Sequence, residues 1–119
     1  MSQTPASPGA WREERRKSQR VYLAVPLEIY WEDAGQEKHW ERGTTEVISS
    51  TGTIVRVKRS PTPPAEILLT HLMRKVSTQA RVVTLLPMQE EGVTRVAIEL
   101  AEPSDTFWGV SLPPAPQKA

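Results

Sequence analysis

An alternation of apolar with polar or small side chains runs through residues 21–32, VYLAVPLEIYWE. One face of this stretch holds Val21, Leu23, Val25, Leu27, Ile29 and Trp31. A period of two residues is typical of a half-buried β-strand, so we predict a long first strand over 20–31. Pro26 lacks the backbone N–H that a ladder needs, and we therefore expect an edge position or a bulge there.

Further strand-like segments follow near 40–49, 52–58, 65–73, 79–87 and 93–100. Turn-forming residues separate several of them, at 33–36, 49–52 and 89–92. The mainly apolar segment 65–72 stays open between strand and short helix, because its periodicity favours neither. Short strands at close spacing with little helical signal predict an all-β protein, built as a small antiparallel barrel or sandwich.

Two sets of side chains are predicted to point into the core: Val21, Leu23 and Val25, and Val96, Ile98 and Leu100. In the third strand we expect Val55 and Val57 on one face, with Arg56 and Lys58 towards water or a partner. Residues 103–105 are predicted either to cap a short turn at 106–108 or to lead into an extended segment.

Composition limits the class of protein. The chain has 119 residues, a formal net charge of +1 and no cysteine. One core fits this length, the near-neutral charge argues against a strongly basic nucleic-acid binder, and the missing cysteines exclude disulfides and thiol ligands. No apolar run is long enough to span a membrane and residues 1–10 carry no secretory pattern, so we expect a cytoplasmic, bacterial-type module.

Eight of the eleven prolines cluster at the two ends and in one central loop. Pro-rich stretches without apolar periodicity are typical of flexible segments. We therefore predict a flexible leader with a basic arm over 1–18, a folded domain over 19–112 and a disordered tail over 113–119.

No catalytic constellation is recognisable, and we expect neither an enzyme nor a resident metal or cofactor. The sequence lacks a G-x-S-x-G nucleophile turn and a G-x-x-x-x-G-K phosphate loop. His39 lies among charged residues and is interpreted as solvated, because no second ligand stands at helical spacing from it. Glu90 and Glu91 are interpreted as a solvated turn.

Two stretches carry binding chemistry. Residues 11–20, WREERRKSQR, concentrate arginines directly before the first strand. They fit a solvated arm with Glu–Arg pairs, or an arm whose guanidinium groups grip phosphates and the O6/N7 edge of guanine. Residues 47–52, VISSTG, fit a plain hairpin, or a turn in which Ser49 presents a hydroxyl and Gly52 lets a ligand approach the backbone.

In this order, the two stretches resemble the PilZ domain family. Arg16-Lys17-Ser18-Gln19-Arg20 matches its R-x-x-x-R motif, and residues 47–52 align with its Asp/Asn-x-Ser-x-x-Gly motif. The resemblance covers about 19–112. It implies a six-stranded antiparallel β-barrel whose ligand is cyclic di-GMP, a bacterial second messenger.

The resemblance also implies residue roles. Arg16 and Arg20 would contact phosphates and guanines, with Arg15 as an additional contact, and Ser49 and Gly52 would be the motif serine and glycine. Val47 departs from the pattern, because valine offers no acceptor for guanine N–H groups. Such a loss typically costs about 1–3 kcal/mol, or roughly tenfold to a hundredfold in affinity.

These observations lead to three hypotheses. The first is a cyclic di-GMP-responsive module that orders its arginine-rich arm on the nucleotide and signals to a protein partner. The second is a degenerate PilZ-like adaptor that binds protein only. The third is a barrel that binds single-stranded nucleic acid through aromatic residues such as Tyr30 and Trp31, which the near-neutral charge disfavours.

Overall fold

A computed structural model describes residues 20–87 and 91–112. It contains six strands: β1 (Pro26–Glu32), β2 (Lys38–Ile48), β3 (Gly52–Val57), β4 (Ala65–His71), β5 (Val76–Leu86) and β6 (Thr94–Leu100). The strands pair antiparallel and close into a barrel in the order β1-β2-β3-β6-β5-β4. The predicted six-stranded antiparallel barrel is confirmed, and the segment left open at 65–72 is strand. The described ranges contain no helix, and therefore none that is long and apolar enough to cross a membrane.

Parts of the sequence prediction lie outside the described residues. These are the leader at 1–18 with Arg15 and Arg16, the tail at 113–119, and Glu90 of the predicted Glu90–Glu91 turn. Glu91 is described, and it is exposed as expected.

The barrel interior is filled by alternate side chains of all six strands. Leu27, Ile29, Val55, Leu69, Val82 and Val96 are fully inaccessible to solvent. The predicted inward faces Val55/Val57 and Val96/Ile98/Leu100 are confirmed, and Arg56 and Lys58 point outward as expected. Removing such apolar side chains from water is the main source of stability in a domain of this size.

The first strand is shorter than the alternation at 21–32 predicted. It begins at Pro26, and the preceding residues make only an isolated bridge from Val21 to Ile48. Leu23, predicted to point inward, is 37% exposed, because this irregular entry does not maintain the pleat of a strand. Pro26 lies neither at a sheet edge nor in a bulge. It is the first residue of β1, a position where a missing N–H interrupts no ladder.

A β-bulge interrupts β2 close to its end. The register with β3 shifts between Thr45 and Val47, which leaves Glu46 as the additional residue. Thr45 and Ile48 are both buried although they are three residues apart, a spacing that an uninterrupted pleat does not allow. Val47 is buried too, but it does not belong to the core cluster.

The C-terminal segment 101–112 covers one end of the barrel. Ser104 Oγ accepts the backbone N–H groups of Thr106 and Phe107, at 3.3 and 3.0 Å, which confirms the first of the two alternatives for 103–105, a capped turn. Phe107 and Trp108 are buried against the core. His71 is also buried, and its Nε2 lies 3.2 Å from the Trp108 carbonyl oxygen.

Candidate functional site

The turn between β2 and β3 carries the serine of the second motif. Ser49 Oγ accepts the backbone N–H groups of Thr51 and Gly52, each at 3.2 Å, and lies 3.1 Å from Thr51 Oγ1. The Ser49 N–H donates to the Gly52 carbonyl at 2.9 Å. The hydroxyl therefore shapes its own turn, and a ligand that contacts it has to share or replace these bonds.

Gly52 is required by packing against a neighbouring strand. A Cβ atom at this position would lie 2.2 Å from the Ile98 carbonyl oxygen and 3.3 Å from the Glu99 Cα on β6. The positive-φ glycines of the described chain are Gly92 and Gly109, so the conformational freedom expected of Gly52 is not used. The absence of a side chain at Gly52 serves the close approach of β3 to β6.

Arg20 lies beside this turn. Val21 and Ile48 exchange two backbone hydrogen bonds of 2.9 Å in an antiparallel bridge. An antiparallel arrangement sets the residue before Val21 opposite the residue after Ile48, which places Arg20 opposite Ser49. Val21 packs against the core, and Arg20 is exposed. Arg20 and Ser49, two predicted site positions 29 residues apart along the chain, are thus brought together next to Gly52.

Val47 lies on the outer wall of the barrel, next to the Ser49 turn. The bulge turns it away from the core, and it pairs with Ile54, which in turn pairs with Ala97 of β6. Its backbone carbonyl accepts a hydrogen bond from Thr53 Oγ1 at 2.7 Å. An apolar row therefore occupies the position at which the resemblance implies a carboxylate or an amide.

The Ser49 turn is also bonded to the C-terminal segment. Trp108 Nε1 donates to the Ser49 carbonyl at 2.8 Å, and the Ser104 N–H donates to the Ser50 carbonyl at 2.8 Å. The Leu100 N–H donates to the Thr51 carbonyl at 2.9 Å. Sequence reasoning did not include Trp108 in the site. A tryptophan next to a phenylalanine, shortly after the last strand, is the one signal that could have pointed to a buried cap.

Charge on the outer wall near the turn is largely compensated. Arg95 donates two hydrogen bonds of 2.9 Å to the Glu46 carboxylate, and Arg56 approaches the same group at 3.7 Å. The hydrogen bonds that Arg95 donates hold the pKa of Glu46 below its usual value, and the same bonds raise the pKa of Arg95. This network stabilises the bulge, because it joins β2 to β3 and β6.

His39, interpreted from the sequence as solvated, is half-buried in the hairpin between β1 and β2 and has specific partners. Its Nε2 lies 2.9 Å from Asp33 Oδ2, and its ring stacks on Trp31 at 5.1 Å between centroids. Asp33, Glu37 and His39 bring ligand atoms within 4.8 Å of one another, which the hairpin achieves without helical spacing. The hydrogen bond with His39 is the main reason why the pKa of Asp33 is lowered.

Trp31 cannot serve as a stacking platform for a nucleic-acid base, as the third hypothesis required. Trp31 is only 7% exposed and belongs to the core cluster. Tyr30 and Trp40 are the aromatic pair on the outer wall, with ring centroids 5.2 Å apart.

Comparison of the chain with protein-family models and with curated proteins yields no match.

Proposed function

We propose that this chain is a PilZ-like regulatory module of the bacterial cytoplasm that binds cyclic di-GMP and catalyses no reaction. The observation that carries the proposal is the Val21–Ile48 bridge, since it sets Arg20 opposite Ser49. An arginine at this place offers a guanidinium that binds phosphate in bidentate fashion or the O6/N7 edge of guanine.

The mechanism is the ordering of the arm on the ligand. Arg20 directly precedes the Val21–Ile48 bridge, so its backbone is positioned before the ligand arrives. Arg16, with Arg15 as an additional contact, approaches from the N-terminal side and closes on the phosphates. Charge-assisted hydrogen bonds offset the entropy lost by the arm, and the new surface of arm and barrel is recognised by a protein partner.

Two features of the turn predict a modest affinity. Val47 supplies no acceptor for guanine N–H groups, and the Ser49 hydroxyl already holds the N–H groups of Thr51 and Gly52. Restoring the acceptor should strengthen binding, because the ligand would regain a polar partner worth about 1–3 kcal/mol.

Isothermal titration of the full chain with cyclic di-GMP, with GTP as the control ligand, tests the proposal. We expect Arg20→Ala and Arg16→Ala each to weaken binding by about 1.5–3 kcal/mol, and Val47→Asn to strengthen it. Arg42→Ala is the matched control, because Arg42 is an exposed arginine that pairs with Glu28 of β1, away from the Ser49 turn. Unchanged affinity in both arginine variants, or no heat from the wild type and from Val47→Asn, would refute nucleotide binding.

A second candidate function is a PilZ-like adaptor that binds protein only. An exposed row across β4, β1 and β2 favours it: the register pairs Leu68 with Tyr30 and Tyr30 with Trp40. Trp40 is 54% exposed and Leu68 38% exposed. Aromatic residues on an open sheet face are typical of protein contacts. The same titration separates the two candidates, since the adaptor gives no heat with cyclic di-GMP in any variant.

A further inference from the structure

The ladder between β2 and β3 ends away from the Ser49 turn. Its last pair is Thr44 with Arg56. Beyond it, β2 continues alongside β1 through Gly43, and β3 continues alongside β6 through Val57. At this end of the ladder lies an open surface cleft of about 340 Å³, lined by Arg42, Gly43, Thr44, Arg56, Val57, Lys58 and Val93.

The cleft is lined by cations. Arg42, Arg56 and Lys58 line the cleft, and the described residues of the lining include no carboxylate, although Arg56 also approaches Glu46 at 3.7 Å. Within 20–87 and 91–112, no carboxylate forms an ion pair with the Lys58 ammonium. Arg42 reaches Glu28 only at 3.4 Å, with its side chain 74% exposed, so this pair competes weakly with a ligand.

The remaining lining adds a hydroxyl and one partly exposed apolar side chain. Thr44 is exposed and offers a donor, and Val93 is half-buried, whereas the side chain of Val57 is buried in the core. Gly43 brings the two strands together at the inner end of the cleft, because a Cβ atom there would lie 2.2 Å from the Arg56 carbonyl oxygen and 2.6 Å from Val57 Cγ1. The cleft is therefore formed by two strands in contact, with exposed cationic side chains at its rim.

We propose that this cleft binds a small phosphorylated ligand, with its phosphate group held by Lys58 and Arg42. Ammonium and guanidinium groups beside a hydroxyl are the donors that phosphate oxygens prefer. Thr44 lies five residues before Ser49, roughly 17 Å along an extended strand, so this site is separate from the one proposed around Arg20.

The probe is inorganic pyrophosphate, titrated into the full chain at low ionic strength and followed by calorimetry. We expect Lys58→Gln and Arg42→Gln each to weaken binding about tenfold, which corresponds to one charge-assisted hydrogen bond. Lys58→Arg should retain binding, because the charge remains. Arg81→Gln is the matched control, since it removes an exposed outer-wall charge away from the cleft.

The pyrophosphate titration tests the cleft independently of the cyclic di-GMP proposal. Arg20→Ala should leave pyrophosphate affinity unchanged, whereas Lys58→Gln should leave any cyclic di-GMP affinity unchanged. The inference is overturned if the wild type binds no pyrophosphate at millimolar concentration. It is also overturned if Arg81→Gln weakens binding as much as Lys58→Gln, because binding would then follow overall charge. Thermal unfolding of each variant verifies that the barrel is intact.

Discussion

The two turns at the ends of β2 are stabilised in different ways. In the β1–β2 turn, Asp33 Oδ1 accepts hydrogen bonds from the backbone N–H groups of Gly35 and Glu37, and Asp33 Oδ2 lies 2.9 Å from His39 Nε2. All of these partners lie within six residues of one another. In the β2–β3 turn, the bonds to Trp108, to Ser104 and across the Val21–Ile48 bridge span 27 to 59 residues. The β1–β2 turn depends on its own residues, whereas the Ser49 turn between β2 and β3 depends on partners from other parts of the barrel.

The largest expected difference between the turns comes from their glycines. Gly52→Ala should lower the free energy of unfolding by about 3 kcal/mol, because the new Cβ meets backbone atoms of β6. Gly35→Ala is the control in the other turn, where the nearest atom lies 3.5 Å from the added Cβ, an ordinary contact. Urea unfolding measures both. If Gly35→Ala lowers the free energy of unfolding as much as Gly52→Ala does, the contrast between the two turns is contradicted.

An intermediate effect is expected from the bond between Trp108 and Ser49. Trp108→Phe removes the indole N–H donor while keeping an aromatic ring in the core, so we expect a loss of about 1–2 kcal/mol. Trp40→Phe is the control, because Trp40 is an exposed residue of the outer wall. Hydrogen exchange should show faster exchange at the 49–52 amides in Trp108→Phe alone. Unchanged exchange at these amides would mean that the turn is held without Trp108.

The smallest effect concerns the carboxylate at the bulge. The pKa of Glu46 is lowered in the fold, so Glu46 contributes stability above its unfolded pKa, and the contribution is lost as the pH falls through its folded pKa. We expect Glu46→Gln to destabilise the barrel by about 1 kcal/mol at neutral pH and by progressively less in acid. Thermal unfolding at a series of pH values tests this. A pH-independent difference would assign the effect to packing instead of charge.

Asp33 supplies the comparison for the β1–β2 turn. Its pKa is lowered as well, mainly through His39, so the sign of the pH dependence is the same. Asp33 and its partners belong to one short turn, and its replacement by Asn should therefore leave exchange in the Ser49 turn unchanged.

The number of strands and most inward faces were predictable from the sequence, because a buried strand repeats its side-chain pattern every two residues. The prediction failed where the pleat is interrupted. Leu23 follows the period but lies on an irregular entry. The bulge at Glu46, which turns Val47 outward, was not predicted. Whether the two-residue alternation of side chains continues through such points depends on the strand that pairs there. A single stretch of sequence carries no information on this pairing.

For the candidate site, the sequence supplied the chemical groups and the order in which they occur. Arg20, Ser49 and Gly52 were selected by residue type and by resemblance, and the Val21–Ile48 bridge places Arg20 beside the turn. Trp108 and the cleft at Lys58 were not selected, because their significance comes from neighbours far away in the chain.

The sequence by itself determined an all-β chain with six strands, their turns and the residue types available for binding. These follow from local alternation and turn chemistry, which act over a few residues. Only the tertiary structure decided that Gly52 is required by β6, that Trp108 holds the Ser49 carbonyl and that the β2–β3 ladder ends at the pair Thr44–Arg56. The physical reason is that barrel closure brings together backbone groups tens of residues apart, and contacts of this kind leave no local pattern in the sequence.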